Sequence, residues 1–155
     1  MLQTFNGNKG ISIIEILVVI AILAVTLTTL LGLINFSLRI NDLSRQTTQA
    51  NGLAQEAMEA VRSIRDNAGW QQIANGNHGL INTAGKWSFS GTENITGGFT
   101  RMISIQDAYR DAGDNIVASG GTADLDTKKI TASVSWSERS QNHNIEIITH
   151  LTNWK

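Results

Sequence analysis

Apolar and polar positions follow three successive patterns along this chain, and each pattern predicts a different element. From Ile16 to Leu38 no residue carries a charge, a run of 23 residues whose first part, ILVVIAILAVTLTTLLGLI, is dense in Ile, Leu and Val. About 20 apolar residues at 1.5 Å rise span a hydrocarbon core of roughly 30 Å. A core helix of a soluble domain shows a polar face at i+3/i+4 spacing, whereas the part from Ile16 to Ile34 offers only Thr26, Thr28 and Thr29. Their hydroxyls can bond carbonyls of the preceding turn and are tolerated in lipid. A cleaved secretory signal needs a shorter apolar stretch, about 7–15 residues, and an A-x-A-like site. The sequence that follows, NFSLRINDL, has no such site. The expectation is a retained membrane helix.

From Arg39 to Asp66 the pattern becomes one-sided. Ile40, Leu43, Thr47, Ala50, Ala54, Ala57, Val61 and Ile64 recur at alternating spacings of 3 and 4, the stripe of an amphipathic helix. Asp42, Arg45, Gln49, Glu56, Glu59, Arg62 and Asp66 lie opposite, with Arg62 and Asp66 spaced for an i,i+4 pair. Gly52 costs about 1 kcal/mol relative to Ala without ending the pattern, and Asp66-Asn67-Ala68-Gly69 is a stop signal. Ile11 to Asp66 is therefore expected as one near-continuous helix, roughly 84 Å at 1.5 Å per residue. A coiled coil would want a bulkier seam than these alanines. A first half that is apolar all round suits lipid or packing among neighbouring helices. The one-sided second half suits docking on the chain's own head.

The third pattern, Trp70 to Lys155, predicts β structure with Gly- and Asn-rich connections. Asn75 to Gly79 forms a turn cluster, and Lys86 to Ser90 is a short strand candidate. Phe99 to Ile105 alternates, with Phe99, Ile103 and Ile105 on one side. In Lys128 to Ser137, Ile130, Ala132, Val134 and Trp136 face one way, while Thr131, Ser133 and Ser135 face the other. Glu138 to Asn144 is expected to turn the chain, and Ile145 to Leu151 to return as the partner strand. The predicted class is α+β, a long N-terminal helix packed on a small antiparallel sheet.

Composition narrows the chemistry. Twelve Lys and Arg against thirteen Asp and Glu give a net charge of −1, so no basic stripe tracks a phosphate backbone and no nucleic-acid partner is expected. The absence of cysteine excludes disulfides, zinc knuckles, iron–sulfur sites and thiol nucleophiles. The absence of proline leaves every helix and strand unbroken by a pyrrolidine ring. His78, His143 and His150 have no metal-binding spacing, and there is neither a G-x-S-x-G elbow nor a P-loop. No enzymatic activity and no cofactor are expected. The four tryptophans are expected to fill the head's core or its seam with the helix. The one candidate metal site is calcium on an acidic, glycine-containing loop carrying Asp107, Asp111, Asp114, Asp124 and Asp126, although the EF-hand pattern is absent.

Glu15 does not fit an ordinary anchor. It stands at the head of the apolar run, and a carboxylate facing lipid is costly without a partner. Cleavage after Gly10 would place a new amine on Ile11, at i,i+4 spacing from Glu15. In this respect KGISIIEILVVIAIL resembles the signal of type IV prepilins and pseudopilins. Those proteins carry a short polar leader ending in glycine, followed by an apolar helix with glutamate at the fifth mature position. Matched residue by residue, Gly10 ends the leader, Ile11 is the new N-terminus, and Glu15 is the family glutamate. Ile11 stands where Phe or Met is common, and near Gly32, where many major pilins have a proline, this chain has none. The AQEAMEAVRSIRD stretch and the closing strand pair with LTNWK look like minor pilins termed type IV pilus modification proteins, and are similar to a minor pseudopilin of type II secretion.

The resemblance implies a leader over 1–10, a transmembrane half-helix over 11–38, an amphipathic half over 39–69 and a β head over 70–155. It implies a non-enzymatic minor pilin cut between Gly10 and Ile11, methylated on Ile11 and assembled through Glu15. Its implied partners are a prepilin peptidase/methyltransferase, other pilin subunits through the N-terminal helix, membrane lipid and a filament assembly platform. The leader would lie in the cytoplasm and the head outside, first at the cytoplasmic membrane and then in an extracellular filament or pseudopilus. Flanking charge is nearly balanced, so that orientation comes from the resemblance alone. The alternatives are a DNA-uptake pseudopilin and a single-pass membrane-anchored protein unrelated to filaments.

Overall fold

The computed structural model describes residues 12–154. Helix α1 runs unbroken over Ile13–Ala68, 56 residues. Its continuity follows from the absence of proline, and Gly32 and Gly52 are both accommodated within it. It ends where Gly69 donates its N–H to the Arg65 carbonyl at 3.1 Å and then takes φ 92°, a conformation side chains disfavour. A single 3-10 turn, Trp70–Gln72, follows.

The molecule divides into two compact units, residues 1–44 and 45–155. In the described part of the first, α1 is exposed all round: no residue from Ile13 to Leu38 is buried. It is long and apolar enough to cross a membrane and is compatible with a single-pass membrane protein. Thr26 and Thr29 donate to the carbonyls of Leu23 (2.9 Å) and Val25 (2.7 Å), and Thr28 to those of Ala24 and Val25. These hydroxyls therefore need no water.

In the second unit the chain forms β1 (Gly76–His78), β2 (Leu80–Thr83), β3 (Lys86–Phe89), β4 (Asn94–Thr96), β5 (Phe99–Arg110), β6 (Ile116–Val117), β7 (Thr122–Glu138) and β8 (Gln141–Thr152). The main sheet has the order β1-β5-β7-β8, all antiparallel, with β4 and β6 also on β5; β2 and β3 form a separate hairpin. Gly79 links the two, its N–H bonding the Gly91 carbonyl and its carbonyl accepting from Ser90 N–H. A Cβ here would lie 2.4 Å from the Ser90 carbonyl oxygen.

The core lies between one face of the sheet and the C-terminal half of α1. Ala50, Ala54, Ala57, Met58, Ala60, Val61 and Ile64 are buried from the helix. Phe99, Ile103, Ile105, Ile130, Ala132, Val134, Trp136 and Leu151 are buried from the sheet. The predicted stripe is thus buried from Ala50 onward, while Ile40 remains half exposed. The small alanines let the backbones approach, and the larger side chains, worth about 1.5–3 kcal/mol each when fully buried, supply most of the driving force.

Several expectations require correction. Asn75 to Gly79 is not simply a turn: Gly76–His78 pairs with Ile105, Ser104 and Ile103 of β5, held by main-chain bonds that leave no hydropathy signal. Lys128 to Ser137 is a strand as expected, but it is the C-terminal part of a 17-residue one that begins at Thr122. Glu138 to Asn144 is not a long turn, since Glu138 pairs with Gln141 across a two-residue bend at Arg139-Ser140. Arg62 lies against Glu59 rather than in the predicted i,i+4 pair, and Asp66 takes Arg65 at 2.9 Å. Of the tryptophans, Trp136 is in the core while Trp154 is 64% exposed.

Candidate functional site

The first candidate is the start of α1. Gly10 and Ile11 lie outside the described residues. The Ser12 carbonyl accepts the first helical bonds, from Glu15 N–H at 2.9 Å and Ile16 N–H at 3.3 Å. Ser12 is therefore the N-cap residue and Glu15 the third helical position, in the first turn. The spacing Ser12-x-x-Glu15 is that of a capping box, and the helix dipole favours a carboxylate there. Glu15 is exposed and its neighbours are aliphatic: Ile13, Ile14, Ile16 and Leu17 are all exposed too. A solvated Glu15 costs nothing. In hydrocarbon or among other helices it needs a cation or a donor.

The second candidate is the acidic stretch, and the structure takes it apart. It is not one flexible loop, because Asp107 belongs to β5 while Asp124 and Asp126 belong to β7. The Asp107 carboxylate accepts from Lys128 Nζ and, at 2.8 Å, from Asn75 Nδ2; these bonds hold it below the ordinary carboxylate range. Asp124 accepts from Arg110 Nε at 2.7 Å, which lowers it likewise. Asp111 closes its own turn, accepting from the N–H groups of Asn115 (2.9 Å) and Gly113 (2.8 Å), and the Asn115 bonds lower it most. Asp114 is exposed, 3.6 Å from Arg110 Nη1, and Asp126 accepts from Asn153 Nδ2 at 3.1 Å. Among the described residues no three His, Cys, Asp or Glu groups converge as metal ligands. The calcium candidates are ties between strands and within turns: Lys128 and Arg110 already hold two of the carboxylates that a calcium ion would need.

The histidines also lie apart. His78 packs against Phe89 with its ring tilted by 36° and bonds the Ala74 carbonyl at 2.9 Å. His143 stacks on Trp136. His150 is opposite Lys129 on the outer sheet face.

Sequence reasoning missed a buried cation. Arg101 is 4% exposed, on the same face of β5 as Phe99 and Ile103. Its guanidinium bonds Glu56 Oε1 (3.2 Å) and the Leu53 carbonyl (3.5 Å) on α1, and Asn94 Oδ1 (3.2 Å) on β4. It also lies 5.8 Å from the Trp87 ring centroid. Strict period-two alternation from Phe99 through Ile105 was the available signal, since it places residue 101 inward. This group fixes α1 on the sheet and has no substrate-facing geometry.

Comparison with known proteins finds no matching family model, no matching curated protein and no matching solved structure.

Proposed function

We propose that this chain is a minor pilin-like subunit, made as a membrane-anchored precursor and assembled through its N-terminal helix into a type IV pilus or a related filament. One observation carries the reading: an uncharged, wholly exposed helical run is preceded by K-G-I-S-I-I-E, with a single carboxylate at its head. A surface of this kind needs lipid or other helices to cover it. In this reading a peptidase cuts between Gly10 and Ile11, the Ile11 amine is methylated, and Glu15 pairs with that amine in the same or an adjacent subunit. When water is excluded the pair sets the axial register of an incoming helix. The head, docked on the amphipathic half of α1, decorates, primes or tunes the filament.

A second reading, a single-pass anchored protein unrelated to filaments, is favoured by the capping-box spacing of Ser12 and Glu15. That spacing gives Glu15 a local role without any partner subunit. Glu15→Ala distinguishes the two. The filament reading expects the variant to insert, to be cut after Gly10 and to keep a folded head, but to fall by at least about tenfold in sheared filaments relative to membranes. Glu15→Gln, which keeps a polar cap but lacks the charge, is expected to assemble nearly as poorly. Equal amounts of wild type and Glu15→Ala in sheared filaments would refute the charge-pair mechanism.

A further inference from the structure

Strand β8 closes one side of the main sheet, and among the described residues no strand pairs with its outer edge. It is 12 residues long, and its pairing with β7 runs from Thr127–Thr152 to Glu138–Gln141 without a shift of register. The opposite side differs, because β1, β4 and β6, of two or three residues each, cover β5 there. Folded proteins ordinarily blunt a long edge with proline, lysine, a bulge or a covering segment, since its unpaired N–H and C=O groups are a template for another strand. β8 has no proline, lysine or bulge, and Glu146 is its only Asp, Glu, Lys or Arg residue. Ile145, Ile147 and Thr149, paired with the core residues Val134, Ala132 and Ile130, are only half-buried. Ile148, on the outer face, is 52% exposed.

The side chains of β8 select its partner. Two identical edges pair antiparallel about a two-fold axis perpendicular to the sheet, which keeps like faces together, so odd positions meet odd and even meet even. Glu146 set against itself would oppose two carboxylates, which is destabilising. Centred on Ile148, the pairing places Glu146 opposite His150 of the second copy, twice by symmetry, with Ile148 against Ile148 and Ile145 against Leu151. Each carboxylate then faces an imidazole that can donate an N–H, and these aliphatic side chains face their own kind. The registers one step to either side oppose Glu146 to Ile148, or Ile148 to His150. We propose that β8 pairs with β8 of a second copy of this chain, centred on Ile148, to make one continuous sheet across two heads. Main-chain bonds supply the affinity and the side-chain pairs fix the register. The same axis reverses the direction of the α1 segment that lies on each sheet, so the two chains enter the contact from opposite directions. The contact therefore joins copies held by different membranes or filaments, under either reading of the anchor.

The chain has no cysteine, so introduced thiols report the register. Directly opposite residues of an antiparallel pair have Cα atoms about 4.5–5.5 Å apart, within the reach of a disulfide. With the full chain in lipid vesicles, Ile148→Cys should give a disulfide-linked dimer under mild oxidation. Mixed vesicles bearing Glu146→Cys and His150→Cys should link to each other well above either variant alone. Ile95→Cys, exposed on β4, sets the background. Wild-type vesicles should cluster, read by dynamic light scattering, because many weak contacts act together. Ile148→Lys, which sets two ammonium groups opposite each other, should abolish the clustering, while near-UV circular dichroism checks that its head stays folded. The proposal is overturned by wild-type vesicles that stay single, by clustering that Ile148→Lys leaves intact, or by Ile148→Cys dimers no more abundant than those of Ile95→Cys. It is overturned equally if Ile148→Cys links to Ile95→Cys in mixed vesicles, which would put β4 of the second copy on this edge in place of β8.

Discussion

Arg139 and Ser140 join the two longest paired strands with φ of 47° and 66°, both in the left-handed region. A two-residue hairpin turn needs this geometry because its twist matches that of the flanking strands. A side chain there costs about 1–2 kcal/mol relative to the right-handed region. Asn and Gly are the residues that adopt it most readily. Arg139→Asn together with Ser140→Gly should therefore stabilise the head by about 1 kcal/mol, a rise of about 4 °C in Tm for a unit of this size. The check is thermal melting of the head by tryptophan fluorescence, and an unchanged or lower Tm contradicts the strain argument. The same residues explain why the turn was expected over Glu138 to Asn144. Neither central residue is the Asn or Gly that this turn type favours, while Asn142 and Asn144, which do have turn chemistry, lie within the following strand.

At the scale of elements, the contact between α1 and the sheet combines a smooth alanine stripe with one polar fastening. Alanines let the helix sit close but specify its rotation and register weakly, because neighbouring positions along the stripe resemble one another. Arg101 removes that ambiguity by bonding Glu56 and the Leu53 carbonyl together with Asn94. Arg101→Ala leaves a cavity and unpaired acceptors in the seam, and a loss of about 2–3 kcal/mol is expected. Glu56 is half exposed, so Glu56→Ala should cost no more than about 1 kcal/mol. Arg101→Met keeps most of the volume and should recover part of the loss. Denaturant unfolding of the three variants checks the order, and a Glu56→Ala loss equal to that of Arg101→Ala would make the ion pair the dominant part.

For the whole molecule, two measurements bear on stability and on processing. Asp107, Asp111 and Asp124 are all held below their ordinary value by donors in the folded head. Each binds fewer protons folded than unfolded, so its contribution is fully present above the unfolded value of about 3.9 and is lost as pH falls through the lower folded values. Head stability should be flat from neutral pH down to about pH 5 and decline below it, and Asp107→Asn should make that decline shallower. A stability that rises on acidification contradicts this sign. In the proposed filament reading, mass spectrometry of the native protein should find a chain starting at Ile11 and one methyl group heavier than the bare sequence. A mature chain starting at Met1, or beyond Ile34, would remove that reading.

What could be read from sequence is what neighbours along the chain decide. The uncharged run from Ile16 to Leu38, the buried stripe from Ala50 to Ile64, and the alternation of Ile130, Ala132, Val134 and Trp136 are local periodicities. A helix or strand turns each directly into a face. Ile11 and Glu15 are likewise close enough in sequence for their spacing to suggest an i,i+4 pair. Only tertiary structure decided the rest, because it depends on partners far away in sequence. Gly76–His78 became a strand through β5, Asp107 was claimed by Lys128 and Asp124 by Arg110, and the inward Arg101 was satisfied by α1. Trp154 was left on the surface beside Arg65. Charge and hydrogen-bonding capacity can be counted along a chain, but the fold determines which groups meet, since each such contact must offset desolvation and loop closure between distant segments.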